Sequence, residues 1–315
     1  MINKYEHTLT SMRVYVTERC NANCPNCFNA KSRSDTEMST ETFNQLCIWL
    51  SENGITHLKI LGGEPTIHKN FETIIGIAQN YFKSISIFSN GLEDKIKNLT
   101  LRENDSIIYN FLFNREFSKE KFHLENGGSR SLEVQVHKDS DEVLLTKRII
   151  ELVNIDRKKI HFSLTLDCTS NIFKEKQIVV PKLQYIESVL QKNNFSFSYD
   201  HKMPFCYLYK TGLHPGNTGS CDIETSAVID SSLNLRYCLQ NPEILTKLKQ
   251  DNKFIPWQIL LNHLYHRYYE LRLTSLNKIC LNCVFYSKYC NGGCWIPKDY
   301  IKREDILNNT DFPTI

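Results

Sequence analysis

Met12-Arg13-Val14-Tyr15-Val16-Thr17 runs, after Glu18-Arg19, into Cys20-Asn21-Ala22-Asn23-Cys24-Pro25-Asn26-Cys27. The first stretch is β-branched and apolar, the pattern of a short strand. The second places three cysteines at C-x3-C-x2-C spacing, so one loop wraps three thiolates around a single metal centre. Iron–sulfur clusters are held by Cys thiolates, usually four per cluster. Three clustered ligands leave one iron without a protein thiolate, open to substrate or cofactor. Zinc is the weaker reading, because zinc sites usually add a second ligand pair and a closed structural site needs four ligands. A disulfide is poorer still in a long chain whose first residues have no apolar signal core.

Working outward, Ser39 or Thr40 is a plausible N-cap for a helix over Glu41 to Glu52, with Phe43, Leu46, Cys47 and Leu50 at three- and four-residue steps. Asn53-Gly54 ends it as a left-handed cap would. His57 to Leu61 reads as a second strand running into Leu61-Gly62-Gly63-Glu64-Pro65. A helix over Phe71 to Tyr81, a strand over Ile85 to Phe88 and a short helix over Asp94 to Leu99 follow. Ile107 to Phe113 is a near-continuous apolar strand, as expected when both faces are covered. After the turn Asn126-Gly127-Gly128-Ser129 come a strand over Leu132 to Val136, a helix over Asp141 to Val153 and a strand over Ile160 to Leu166. A helix over Leu183 to Gln191 and a strand over Phe195 to Tyr199 complete the alternation. Alternating strands and helices argue an α/β fold, a parallel sheet with helices outside. Its C-terminal strand ends carry the site. Both motifs fall there, as do Ser89, Asn90, Asn110, Asn114, Gln135, His137, Asp167 and Cys168.

C-x3-C-x2-C after a first strand, with Gly62-Gly63-Glu64 after a second, resembles the radical S-adenosylmethionine (SAM) superfamily. The resemblance implies a partial (β/α)6 TIM-like barrel over residues 1–200. It implies a 4Fe-4S cluster on Cys20, Cys24 and Cys27, whose open iron chelates the amino and carboxylate groups of SAM. One electron then cleaves SAM to methionine and a 5′-deoxyadenosyl radical that abstracts hydrogen from substrate. Gly62, Gly63 and Glu64 would hold the SAM amino group, and Ser89 and Asn90 the carboxylate or ribose, unless Ser-Asn-Gly is merely a turn. The position before the third cysteine is usually aromatic and near the adenine; here it is Asn26, with Phe28 just beyond. Gln135 and His137 share one strand face and would meet the ribose, or are satisfied polar groups of the barrel, the plainer reading for His137. Cys168 is a candidate hydrogen donor and Asp167 a candidate proton acceptor or amine holder; the plainer reading of Cys168 is a small buried hydrophobe.

From about residue 200 the composition changes. Cysteines recur at Cys206, Cys221, Cys238, Cys280, Cys283, Cys290 and Cys294, around a hairpin over Ser226 to Asp230 and Asn234 to Tyr237 and a helix over Pro256 to Leu273. Packing does not explain such crowding, since a buried Cys is only a small hydrophobe. Residues 201–315 resemble the SPASM and twitch auxiliary-cluster domains, a small C-terminal iron–sulfur cluster domain. The usual hairpin glycine falls on Leu233, one cysteine spacing is longer by a residue, and the final cysteine is missing. Seven thiols do not fully ligate two auxiliary 4Fe-4S clusters: either one iron is open or carries a non-Cys ligand, or there is one cluster and three thiols are spare.

The chain has 315 residues, 41% of them hydrophobic, enough for a large domain plus a small one. Its 38 basic and 35 acidic residues give a net charge of +3 and no electrostatic case for nucleic acid. No apolar run approaches the length of a membrane span. The expectation is an oxygen-sensitive cytoplasmic protein, served by an electron donor such as flavodoxin or ferredoxin. SPASM-like tails often accompany enzymes acting on ribosomally made peptides, by crosslinking or epimerisation. The barrel starting near residue 12 leaves no room for the leader-recognition domain of many peptide maturases, which weakens that reading. A small molecule such as a sugar or antibiotic precursor is the alternative substrate. An iron–sulfur electron carrier or regulatory module is the remote one, since a carrier does not need a SAM site.

Overall fold

A computed structural model describes residues 9–24, 27, 29, 33–111, 128–151, 160–166, 172–199, 211–213, 227–239, 241 and 243–274. Seven strands, β1 (Ser11–Tyr15), β2 (His57–Leu61), β3 (Ser84–Ser89), β4 (Ser106–Phe111), β5 (Ser129–Val136), β6 (Ile160–Leu166) and β7 (Ser196–Tyr199), lie side by side in chain order. Every pairing among them is parallel. Parallel neighbours need a crossover, and among the described residues four of the six crossovers carry an α-helix: α1 (Thr40–Glu52), α2 (Phe71–Tyr81), α3 (Glu142–Glu151) and α4 (Ile172–Lys192). The mixed α/β architecture with a parallel sheet is therefore as expected.

The strand sequences alternate, and the alternation decides which face is core. On β2, Leu58 and Ile60 are fully buried while His57 and Lys59 are only half-buried. Leu132, Val134 and Val136 of β5 are buried in the same way, and they join Phe43, Leu46, Leu50, Ile74, Ile75 and Leu145 of the helices in one core. Each such side chain contributes about 1.5–3 kcal/mol by leaving water. Helix α1 starts where Ser39 accepts the Thr42 N–H at 3.1 Å and stops before Gly54, whose φ is +87°.

The remaining strands extend this sheet on its other side. β8 (Val228–Ile229) pairs parallel to β1, β9 (Asn234–Arg236) returns antiparallel, and β10 (Ile244–Lys247) follows at the edge. A separate two-stranded ribbon, β11 (Lys249–Gln250) with β12 (Lys253–Phe254), leads into α5 (Trp257–Thr274). Trp49 of α1 stacks on Phe254 with centroids 4.9 Å apart and meets Trp257 edge-on at 5.2 Å. Leu233 closes the β8–β9 turn at φ +61°, the conformation glycine adopts in comparable hairpins.

The structure also departs from the sequence reading. Helix α4 begins at Ile172, not Leu183, and runs through Pro181. Asp94–Asn98 is a 3-10 helix, β4 starts at Ser106, its expected end at Phe113 lies outside the described residues, and β10, β11 and β12 are additional.

Candidate active site

The cysteine loop leaves and rejoins the fold through a clamped stem. Glu18 donates its N–H to Thr36 O at 2.9 Å, Met38 donates to Val16 O at 2.9 Å, and Thr17 bridges Glu37 antiparallel. Arg19 reaches from the stem to Glu37 Oε2 at 2.9 Å and to Ile67 O at 3.1 Å. The three thiols are therefore carried at the C-terminal end of β1.

The Gly-Gly-Glu turn is stitched to this stem. Gly63 N–H donates to Thr17 O and Glu64 N–H to Arg19 O, both at 2.8 Å. The backbones approach so closely that a Cβ on Gly62 would lie 2.4 Å from Thr17 O, and one on Gly63 would lie 2.1 Å from Arg19 O. Both glycines are required by close approach, not by an unusual dihedral.

Glu64 is buried, and its carboxylate is fully engaged. Oε1 accepts from Thr66 N at 3.2 Å, Thr66 Oγ1 at 2.6 Å and Ser89 Oγ at 2.8 Å; Oε2 accepts from Asn90 N at 2.6 Å. Burial pushes its pKa up, and these donors oppose the shift. Asn90 Nδ2 donates to Asn21 Oδ1 at 2.8 Å and lies 3.9 Å from Cys20 Sγ. Ser89 and Asn90 thus tie β3 to both motifs.

Cys20, Cys24 and Cys27 are unbridged and half-buried. Burial pushes the Cys20 thiol up, aided by the Glu64 carboxylate, while the Ala22 N–H and Arg33 oppose the shift. Arg33 hydrogen-bonds the Cys27 thiol and lies close enough to Cys20 and Cys24 to feel both. Below the loop, buried Glu18 accepts from Asn29 Nδ2 at 3.0 Å and from Ser231 Oγ, in the β8–β9 turn, at 3.3 Å. Burial raises the Glu18 pKa, with these donors opposing.

Much of the inner face of the sheet is polar. Pairing registers align Arg13 with Lys59 and Ser86, Ser131 with His161 and Ser196, and Glu133 with Ser163 and Ser198. His57 bonds Ser84 and Ser86, Ser86 bonds Ser106, and Thr165 donates to Glu133 at 3.1 Å. Half-buried Gln135 sits level with Thr165 at the upper end of this wall, and the His137 N–H donates to Ser140 Oγ. TIM-type barrels fill this space with apolar layers; here hydrogen-bonding groups line much of it, while Tyr15, Leu61 and Val228, with Phe88 and Leu239 against them, form a small apolar cluster toward the C-terminal strand ends.

Residues 14–107 match the family described as the Radical SAM superfamily. The chain carries a radical SAM domain. Curated relatives include a probable GTP 3′,8-cyclase of Methanothermobacter marburgensis, 36% identical over 96 residues, which are 29% of this chain and 32% of that protein. A GTP 3′,8-cyclase of Brucella ovis is 32% identical over 88 residues, 27% of this chain and 25% of that one. The matched stretch is about a third of the curated relatives' length or less. Among solved structures, Streptococcus suis SuiB bound to precursor peptide SuiA has a TM-score of 0.65 at 18% identity, covering 94% of this chain and 74% of that one. Native anSMEcpe with bound AdoMet has a TM-score of 0.58 at 16% identity, covering 90% and 89%. At these identities the likeness is one of fold.

A radical SAM domain is expected to hold SAM and a 4Fe-4S cluster, and the residues present fit the cluster. Three unbridged thiols share one loop, and Arg33 Nε and Nη2 are shielded from solvent without a hydrogen-bond partner. Such orphaned donors suit an anionic group. Of the other expected residues, Cys238 follows β9 and is half-buried. Phe28, Asp167, Cys168, Cys206, Cys221, Cys280, Cys283, Cys290 and Cys294 lie outside the described residues. Sequence reading missed Arg33 and the Glu18–Ser231 link. A cation six residues past the third cysteine was the available signal for the first; nothing local signals the second.

Proposed function

We propose that this chain is a radical SAM enzyme that abstracts hydrogen from a peptide substrate, to crosslink or epimerise it. The observation that carries the reading is the cysteine loop stitched to the Gly-Gly-Glu turn through Thr17 and Arg19. When bound, SAM and the cluster supply one-electron cleavage and hydrogen abstraction. The chain's own part is to hold them. Cys20, Cys24 and Cys27 ligate the cluster, and the Gly62–Glu64 turn and the adjoining Asn90 present the surface for SAM. Glu64 acts by fixing that surface, since its carboxylate is already fully bonded. The polar inner wall, with Glu133 and the serines around it, suits a substrate rich in hydrogen-bonding groups. The fold of peptide-bound SuiB supports a peptide in that place, entering from the open side of the barrel. The likeness to GTP 3′,8-cyclases favours a second reading, a small polar substrate such as a nucleotide.

The tail cysteines, Cys238 among them, are read as ligands of one or two auxiliary clusters, forming a SPASM/twitch-like domain. Cys168 and Asp167 are read as hydrogen donor and proton acceptor at the end of β6. Among the described residues no helix is long and apolar enough to cross a membrane.

The test is anaerobic. Reconstituted protein with SAM and dithionite should release 5′-deoxyadenosine, and the Cys20/Cys24/Cys27→Ala variant should not. Faster release with a peptide pool, together with a mass or chirality change in the peptide, supports the first reading. Faster release with GTP alone supports the second. Absence of 5′-deoxyadenosine from iron-loaded wild type overturns both.

A further inference from the structure

Arg33 stands on the returning limb of the cysteine loop, where Ser34 Oγ bonds Thr36 and Thr36 O accepts the Glu18 N–H. Its backbone is therefore held at the mouth of the stem. Its guanidinium reaches the loop: the Cys27 thiol, through a hydrogen bond, is the largest cause that raises its pKa, and the charges of Cys20 and Cys24 add to it. A guanidinium offers five donors in a fixed plane and never gives up its charge. Here Nε and Nη2 are shielded from solvent and find no acceptor among the described residues. A shielded donor left without a partner is costly, and more so on a charged group. That cost is removed when an acceptor occupies the space between the thiols.

We infer that Arg33 is a cluster-contacting residue that donates hydrogen bonds to cluster sulfur and raises the cluster's reduction potential. The inference rests on the radical SAM reading for the cluster itself. Thiolates and sulfide are anionic, and each added electron makes the cluster more negative. A fixed cation beside it therefore stabilises the reduced form more than the oxidised one, and hydrogen bonds to cluster sulfur act in the same direction. Glu64 is the opposing charge near Cys20, but its carboxylate is screened by four donors. Arg33 Nε and Nη2 are not. The group contacted is taken as cluster sulfur, not the SAM carboxylate, because Arg33 already bonds a cluster thiol.

Two variants separate the contributions. Arg33→Gln removes the charge at similar length, and Arg33→Lys keeps the charge but loses the planar fork. Each is reconstituted anaerobically, assayed for iron and sulfide, and titrated electrochemically while the reduced cluster is followed by electron paramagnetic resonance, without SAM. Arg33→Gln should lower the reduced-to-oxidised ratio at a fixed poise about tenfold, a fall of roughly 59 mV for a one-electron couple. Arg33→Lys should fall between it and wild type. If Arg33→Gln does not hold iron, the Lys variant decides by the same titration. A midpoint equal to wild type in an iron-replete variant overturns the inference. Weakened SAM binding at an unchanged midpoint also overturns it, and assigns the guanidinium to the SAM carboxylate. Wild-type protein that takes up no cluster overturns the radical SAM reading instead, so the two failures are distinct.

Discussion

Gly63→Ala should loosen the site without touching any proposed ligand. A Cβ at residue 63 would sit 2.1 Å from Arg19 O, 2.5 Å from Arg19 C and 2.6 Å from Glu18 O, all backbone atoms. Contact must open beyond 3.0 Å before it resembles one real side chains make. The strain falls on the Gly63–Thr17 and Glu64–Arg19 hydrogen bonds. Losing two such bonds costs about 1 kcal/mol each, and overpacking adds about 1–3 kcal/mol. A cost near 3 kcal/mol shifts the loop toward its detached form roughly a hundredfold. Gly76 is the matched control: it lies within α2, and an added Cβ meets nothing within 4 Å. Gly76→Ala should gain about 0.5–1 kcal/mol through lower backbone entropy in the unfolded chain. Denaturant melts of both variants, with iron content after reconstitution, make the comparison. If Gly63→Ala melts like Gly76→Ala and loads iron normally, the close-approach argument fails.

Three further outcomes follow from the geometry. Burial, with Lys59 and Arg13 nearby, lowers the His57 pKa to about 4, so the unfolded chain, near 6.5, binds the proton first as pH falls. Stability from this group should be lost between about pH 6.5 and 4, by about 1–2 kcal/mol after allowing for partial exposure, and His57→Gln should flatten that slope in thermal melts. Leu233→Gly relieves about 1 kcal/mol of left-handed strain but gives up about 2–3 kcal/mol of burial, so it should destabilise by about 1–2 kcal/mol; a more stable variant would refute packing as the reason for leucine. Asp105 is fully buried and accepts from Arg102, Gln79 and the Ile85 N–H. Burial alone would raise its pKa, but these bonds hold it below the usual range. Asp105→Asn should cost about 3 kcal/mol by equilibrium denaturation, and a loss under 1 kcal/mol would show Arg102 to be solvated there.

Local periodicity made the barrel half of the fold legible. β2, α2 and β6 appear where alternation and three- or four-residue spacing put them. Helix α4 is longer than its legible part, Leu183 to Gln191, and contains Pro181, a residue that normally interrupts a helix. β10, β11 and β12 are two to four residues long and polar, too little pattern to read. In the site, two contiguous motifs were legible because their chemistry is local. Ser89 and Asn90 bond Glu64 and Asn21, and Asn90 lies 3.9 Å from Cys20 Sγ, a role that depends on how β3 sits beside β2 and was not legible in Ser-Asn-Gly itself. Arg33 and Ser231 matter through contacts that folding alone creates, the latter across 213 residues.

That last separation bears on biosynthesis. β1 is paired by β2 early in translation, but its other edge is met only by Val228–Ile229. At about 5–20 residues per second, more than 200 residues must be made after β1 emerges, so its outer edge stays bare for roughly 10–40 s. A bare strand edge recruits other strands, and this one adjoins the loop that takes the cluster. The nascent chain is thus most prone to mispairing beside its own active site, and closure of the β8–β9 hairpin ends that interval.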